Sequence, residues 1–200
     1  MTLVKICGIT RSEEAEMLNR AGPDMAGFVF YPPSRRCIDI GRALEIRDIL
    51  DRSISSVGVF VDEDPRIIAD AVGSGAIDIV QLHGCEDDAY IHGLRKLVDV
   101  PVIKAFILKD RSVIPMVESS DADMVLLDAG MGSGKTFDWS MASEVERDYI
   151  LSGGLTPDNV DEAVRRLSPY GVDVSSGVET DRVKDPAKVG AFVSACGGHA

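Results

Sequence analysis

Short runs of β-branched and aliphatic residues recur along the chain, each closed by a polar or glycine-rich turn. LVKIC (3–7), MAGFVF (25–30), SVGVFV (56–61), DIVQLH (78–83), VPVIKAF (100–106), DMVLLD (123–128), DYILSG (148–153) and GVDVSS (171–176) are eight such runs. Runs of this length bounded by turn residues read as strands, and the segments between them place apolar residues three and four apart, as amphipathic helices do. In 157–168, for example, Val160, Ala163, Val164 and Leu167 form one apolar stripe. The alternation predicts parallel β/α units.

The helix boundaries carry their own signals. Ser12 is expected to cap the first helix, with Glu13 and Glu14 in its first turn and Gly22 beyond its end. Asp64-Pro65, Thr156-Pro157 and Asp185-Pro186 each set an N-cap before a proline at the first helical position, where the missing N–H costs nothing. After the sixth strand the pattern weakens, and Trp139 to Glu144 is expected to form only a short helix.

Eight such units in 200 residues, with no break in composition, fit one domain over 1–200. An α/β fold of the closed (β/α)8 TIM-barrel type is favoured over an open doubly wound sheet, although both satisfy the right-handed crossover rule. The choice matters because a barrel of this kind binds its ligands at the C-terminal ends of its strands. Chemistry is therefore sought at Cys7, Phe30, Val61, His83, Phe106, Asp128, Gly153 and Ser175, and in the loops that follow them.

Composition narrows the possible partners. A hydrophobic content of 45% and a charged content of 27% are those of a globular domain. No apolar stretch approaches the roughly 20 residues that span a bilayer, and the N-terminus lacks a signal-peptide pattern, so a cytoplasmic protein without a membrane partner is expected. A formal net charge of −12 argues against nucleic acid, whose phosphates are met by clustered Lys and Arg. Cysteines at 7, 37, 85 and 196 form no C-x-x-C pair, and His83, His92 and His199 are far apart, so neither a disulfide framework nor a metal site is expected.

Three features point to chemistry. Cys7 ends the first strand and Asp128 the sixth, two groups able to move protons from different sides of one pocket; either could equally be a packed thiol or a turn cap. Glycine and small polar residues follow strands seven and eight, in LSGGLTPDNV and DVSSGVE. Backbone N–H groups of Gly153, Gly154, Ser176 and Gly177 could cradle a phosphate there, or the glycines could only shape turns. In YPPSRRCI, after strand two, Arg35 or Arg36 could grip a carboxylate with two parallel hydrogen bonds, or form a solvated basic surface.

KICGIT, GFVFYPPSRR, VGVF, QLHG, LLDAGMGSGKTFDW, LSGGLTPDNV and DVSSGVE together resemble, in order, the signatures of the phosphoribosylanthranilate isomerase family of tryptophan biosynthesis. The resemblance runs from residue 3 to about 179, with Cys37 standing where an aromatic residue is expected. It implies a cofactor-free, metal-free Amadori rearrangement of a small phosphorylated substrate, N-(5-phospho-β-D-ribosyl)anthranilate, by a monomer or homodimer. It also implies that Asp128 is the general acid, Cys7 the general base, and Arg36 the group facing the anthranilate carboxylate. Gly153, Gly154, Ser175, Ser176 and Gly177 would hold the phosphate, with Lys5, His83 and Asp173 supporting the pocket.

The residues support part of this directly. Side chains alternate along a strand, so Lys5 and Cys7 point the same way while Val4 and Ile6 face the helices. Lys5 then lies inside the barrel, where a charge needs a partner, and Asp173 on the closing strand can supply it. A free thiol titrates near about 8.5, so a nearby cation such as Lys5 is expected to bring Cys7 below that value. Two readings compete: the isomerase performing the same rearrangement in histidine biosynthesis, expected to use two aspartates, and a non-catalytic phosphate-ligand sensor, which would need neither Cys7 nor Asp128.

Overall fold

The computed structural model describes residues 2–128 and 139–197, so most of the LLDAGMGSGKTFDW stretch, from 129 to 138, and His199 lie outside the described residues. Eight parallel strands close a barrel in sequence order: β1 (Leu3–Cys7), β2 (Met25–Val29), β3 (Ser55–Phe60), β4 (Ile79–Leu82), β5 (Val102–Ile107), β6 (Met124–Asp128), β7 (Tyr149–Ser152) and β8 (Gly171–Val174). The helices are α1 (Ser12–Ala21), α2 (Ile40–Arg47), α3 (Pro65–Gly73), α4 (Asp88–Leu94), α5 (Ile114–Ser119), α6 (Val160–Leu167) and α7 (Pro186–Ala195). The eight predicted strands are all present with small shifts at their ends, and the TIM barrel replaces the open-sheet alternative.

Strand alternation divides the core in two. Val4 and Ile6 join the large cluster between strands and helices, whereas Met25, Val57, Ile103, Ala105, Leu126 and Ile150 pack with one another inside the barrel. Fully buried among the inward positions is Lys5, whose Nζ donates to Asp173 Oδ1 at 2.8 Å. The register pairs Lys5 with Asp173 across the β1–β8 seam that closes the barrel. Asp173 Oδ2 accepts a second bond, 3.0 Å, from the Ser152 hydroxyl on β7.

At the opposite end of the barrel from the predicted chemistry, a repeated device fixes the strand starts. Asp24, Asp78 and Asp123, each just before an even-numbered strand, accept the backbone N–H of Val4, Ser56 and Val102 on the preceding odd-numbered strand at 2.7–2.8 Å. A carboxylate here satisfies an amide that would otherwise be orphaned near the barrel floor.

Caps follow the sequence in part. Asp64 and Asp185 cap α3 and α7 ahead of prolines, as expected. Ser12 is instead the first residue of α1 and Arg11 the N-cap, because Glu14 reaches back to accept the N–H groups of Thr10 and Arg11 at 2.7 and 3.1 Å. Thr156-Pro157 opens a turn and α6 starts only at Val160, since the Asn159 side chain turns back to accept the N–H of Thr156 at 2.8 Å. In the Trp139–Glu144 segment a single 3-10 turn, Ala142–Glu144, forms. Two short strands not foreseen, β9 (Glu179–Thr180) and β10 (Val183–Lys184), make a hairpin between β8 and α7.

Lys5→Met should lower the free energy of unfolding by about 3–5 kcal/mol, because it leaves the Asp173 carboxylate buried without its cation. Lys5→Met combined with Asp173→Leu should recover most of that loss. Urea titrations of both variants check this, and equal losses would mean that the pair contributes no mutual compensation.

Candidate active site

The sequence-predicted residues gather at one end of the barrel. Cys7 is the last residue of β1, and two glycines make room for it. At Gly27, its register partner on β2, a Cβ would stand 2.8 Å from the thiol sulfur. Gly8 follows in a left-handed conformation, φ +82, and a Cβ there would stand 2.3 Å from Cδ of Arg36 and 3.2 Å from Oγ of Ser175. The stem of Arg36 therefore crosses the chain directly behind Cys7, and the loop after β8 meets it at the same place. Ser175 ties that loop to β1 by donating its hydroxyl to the Cys7 carbonyl at 3.0 Å.

The charge around Cys7 departs from the expectation. Burial pushes the thiol above its ordinary value; Lys5 pulls it down, Asp173 adds to the rise, and Lys184 opposes it more weakly. The shift is upward, not downward, because burial outweighs the pull of Lys5, whose ammonium already faces the Asp173 carboxylate. Lys5 itself would be depressed by burial, but Asp173 and Cys7 draw its pKa above the ordinary value.

Asp128 ends β6, three strands from β1 around the barrel, and its Oδ2 lies 3.4 Å from Nε2 of His83 at the end of β4. Nδ1 of His83 in turn is 3.0 Å from Nε2 of the buried Gln81, whose Oε1 has no hydrogen-bond partner among the described residues. His83 thus stands beside Asp128. A cavity of about 460 Å³, lined by His83, Lys104, Phe106 and Met116 among others, opens from there toward α4 and α5, across the barrel from β1.

The glycine loops also converge. Gly153 and Gly154 are successive left-handed residues, φ +92 and +67, and a Cβ on Gly154 would meet nothing within 4 Å. Ser176 and Gly177 open a 3-10 turn, Ser176–Val178, whose first N–H groups have no acceptor within the turn. At Gly177 a Cβ would stand 1.8 Å from the carbonyl oxygen of Leu155, so the loops after β7 and β8 touch backbone to backbone. Consecutive N–H groups in such turns form concavities suited to anions.

Sequence reasoning missed Glu179 and Lys184. Glu179 accepts from Arg36 through Nε at 2.8 Å and Nη2 at 3.1 Å, from Arg35, and from Lys184 Nζ at 3.1 Å. Lys184, almost wholly buried, also donates to the Ser175 carbonyl at 2.9 Å. Burial alone would raise the Glu179 pKa, but hydrogen bonds from Arg36 and Arg35 and the Lys184 charge hold it down at about 2. Burial pushes Lys184 below its ordinary value against the attraction of Glu179 and Cys7. A hint lay in the sequence: an acid directly after the DVSSGV turn, in a chain whose other active-face basic loop is Ser34-Arg35-Arg36.

A family model matches nearly the whole of this chain. The model of N-(5'-phosphoribosyl)anthranilate (PRA) isomerase matches residues 4–195. The chain belongs to the phosphoribosylanthranilate isomerase family. It is 44% identical over 194 residues to the N-(5'-phosphoribosyl)anthranilate isomerase of Endomicrobium trichonymphae, covering 94% of this chain and 95% of that one. The phosphoribosyl anthranilate isomerase crystal structure from Thermotoga maritima superposes with a TM-score of 0.89 at 38% identity, covering 98% and 99% of the two chains. A further isomerase structure, at 37% identity and TM-score 0.86 with 98% and 99% covered, is in complex with reduced 1-(o-carboxyphenylamino)-1-deoxyribulose 5-phosphate. Like the rest of this tryptophan-biosynthesis family, the chain is an isomerase. Cys37 bridges to Val29 on β2, and its backbone N–H donates to the Ser34 carbonyl at 3.0 Å within the same loop.

Because the folded pKa of Glu179 is depressed, its ion pairs stabilise the protein above the unfolded value near 4.5 and that contribution is lost as pH falls toward about 2. The stability gap between the parent and Glu179→Gln, measured by urea unfolding, should accordingly be full at pH 7 and shrink through that window. A gap independent of pH would show that the charge of Glu179 is not what it contributes.

Proposed function

We propose that this isomerase converts N-(5-phospho-β-D-ribosyl)anthranilate to 1-(2-carboxyphenylamino)-1-deoxy-D-ribulose 5-phosphate, with Asp128 as general acid and Cys7 as general base. The observation that carries the reading is the crossing at Gly8, where Cys7, the Arg36 stem and the Ser175 hydroxyl come together. One group for protons, one for a carboxylate and one loop for a phosphate are what this substrate needs. The product analogue bound to the related isomerase carries the same carboxylate and phosphate.

Asp128 gives its proton to the furanose ring oxygen as the C1–O bond breaks, and the anilino nitrogen supplies the electron pair that forms the iminium. His83, beside the carboxylate, stands where it can support the anion that results. The Cys7 thiolate then removes the proton from C2; the electrons of that bond form C1=C2 and neutralise the iminium nitrogen. The enolamine takes a proton at C1 and loses one from the C2 hydroxyl, leaving the ketone. Lys5 and Asp173 set the charge at the thiol, Arg36 holds the aromatic carboxylate, and Gly153, Gly154, Ser175, Ser176 and Gly177 hold the phosphate. No step requires a metal or a cofactor. The four cysteines are all free, which suits a reducing cytoplasm.

Loss of anthranilate fluorescence from freshly made substrate measures turnover. Cys7→Ser and Asp128→Asn should each reduce kcat by about 10²–10⁴-fold while leaving the fold intact. A Cys7→Ser enzyme that turns over like the parent would require the base to be sought at another strand end. The ascending limb of kcat/KM against pH should lie above the ordinary thiol value, since burial outweighs Lys5 at Cys7. Asp173→Asn should move that limb to lower pH and Lys5→Met to higher pH, and shifts in one common direction would remove the pair from control of the thiol.

The phosphate site has its own test. Gly177→Ala pushes a methyl group into the Leu155 carbonyl and should weaken inhibition by inorganic phosphate together with substrate binding. Unchanged inhibition would move the phosphate elsewhere.

A further inference from the structure

The guanidinium of Arg36 is held from one side only. Glu179 takes Nε and Nη2 in a side-on pair, at 2.8 and 3.1 Å, and no hydrogen bond among the described residues uses Nη1. A guanidinium has five N–H donors in a fixed plane, so this grip leaves the end-on Nη1–Nη2 edge, which matches a carboxylate in a second bidentate pair. The Glu179 side chain is only 6% exposed, against 21% for Arg36, and its other partners are Arg35 and Lys184. Lys184 reaches on to the carbonyl of Ser175 in the loop after β8, and Lys188 donates to the Glu179 carbonyl at 2.8 Å. Glu179, its own side chain buried, therefore connects the arginine loop after β2 to the glycine loop after β8 through charge-assisted bonds.

We propose that Glu179 is a positioning residue for substrate selection: it sets the free edge of Arg36 toward the aromatic carboxylate and fixes that edge relative to the phosphate loop. This rests on Arg36 being the carboxylate grip. Without Glu179 the cations of Arg35, Arg36 and Lys184 would face one another without their shared anion, and the guanidinium would have no fixed plane. A charged Arg36 would remain, but its geometry would not.

The test compares two substrates, the anthranilate-bearing aminoaldose and its aniline counterpart without the carboxylate. Glu179→Gln should raise KM for the anthranilate substrate by about tenfold, which corresponds to about 1.4 kcal/mol, with kcat nearly unchanged. KM for the aniline substrate should stay at the parental value, and Glu179→Asp should restore part of the discrimination. Equal changes for both substrates would assign Glu179 a structural or phosphate-side role and overturn the proposal. A fall in KM for the anthranilate substrate would overturn it too, since Glu179 would then be a competitor for Arg36. Arg36→Ala separates the two levels of the argument. If it discriminates between the substrates and Glu179→Gln does not, only the positioning role fails; if it does not discriminate, the carboxylate grip itself fails and the proposal with it.

Discussion

An ammonium group in the lumen of an eight-stranded barrel is a severe constraint, because that lumen is filled by side chains and holds no bulk water. Lys5 is fully buried there and is tolerated only because Asp173 meets it across the seam where β1 joins β8. A slip of one residue along that seam would turn Lys5 out among the helices and Val4 or Ile6 into the lumen. Replacing a buried ion pair by well-packed apolar groups is often neutral or stabilising, so the pair matters more for the register it selects than for net stability. The register then dictates the mouth: Cys7 falls opposite Gly27, and Ser175 falls beside the Cys7 carbonyl.

Two acidic groups at this mouth show how burial and charge compete. Cys7 and Glu179 are both desolvated, which disfavours their anions. At Glu179 three cations donate directly to the carboxylate, and they win by a wide margin. At Cys7 the nearer cation is neutralised by Asp173, and burial wins.

The strands could be read from the sequence because parallel strands covered on both faces appear as nearly unbroken apolar runs. The Lys5–Asp173 pair was equally readable, from alternation along β1 and the need to close the barrel with β8. What escaped depended on contacts between distant segments or on local competition. Glu179 meets Arg36 from 143 positions away, and nothing in either loop alone announces the other. Burial against Lys5 fixed the direction of the Cys7 shift, and alternation along one strand gives proximity without the degree of desolvation. At α1 and α6 the side chains of Glu14 and Asn159 outcompeted the Ser12 and Thr156 caps, a contest that composition does not decide.

The contact at Gly177 has a mechanical consequence. With the Leu155 carbonyl lodged where any other residue would carry its Cβ, the chain after β7 and the chain after β8 cannot slide past each other. Lys184 and Ser175 bind the second of these segments to the end of β1 as well. The two loops are accordingly one stiff body anchored to the barrel rather than a pair of jaws.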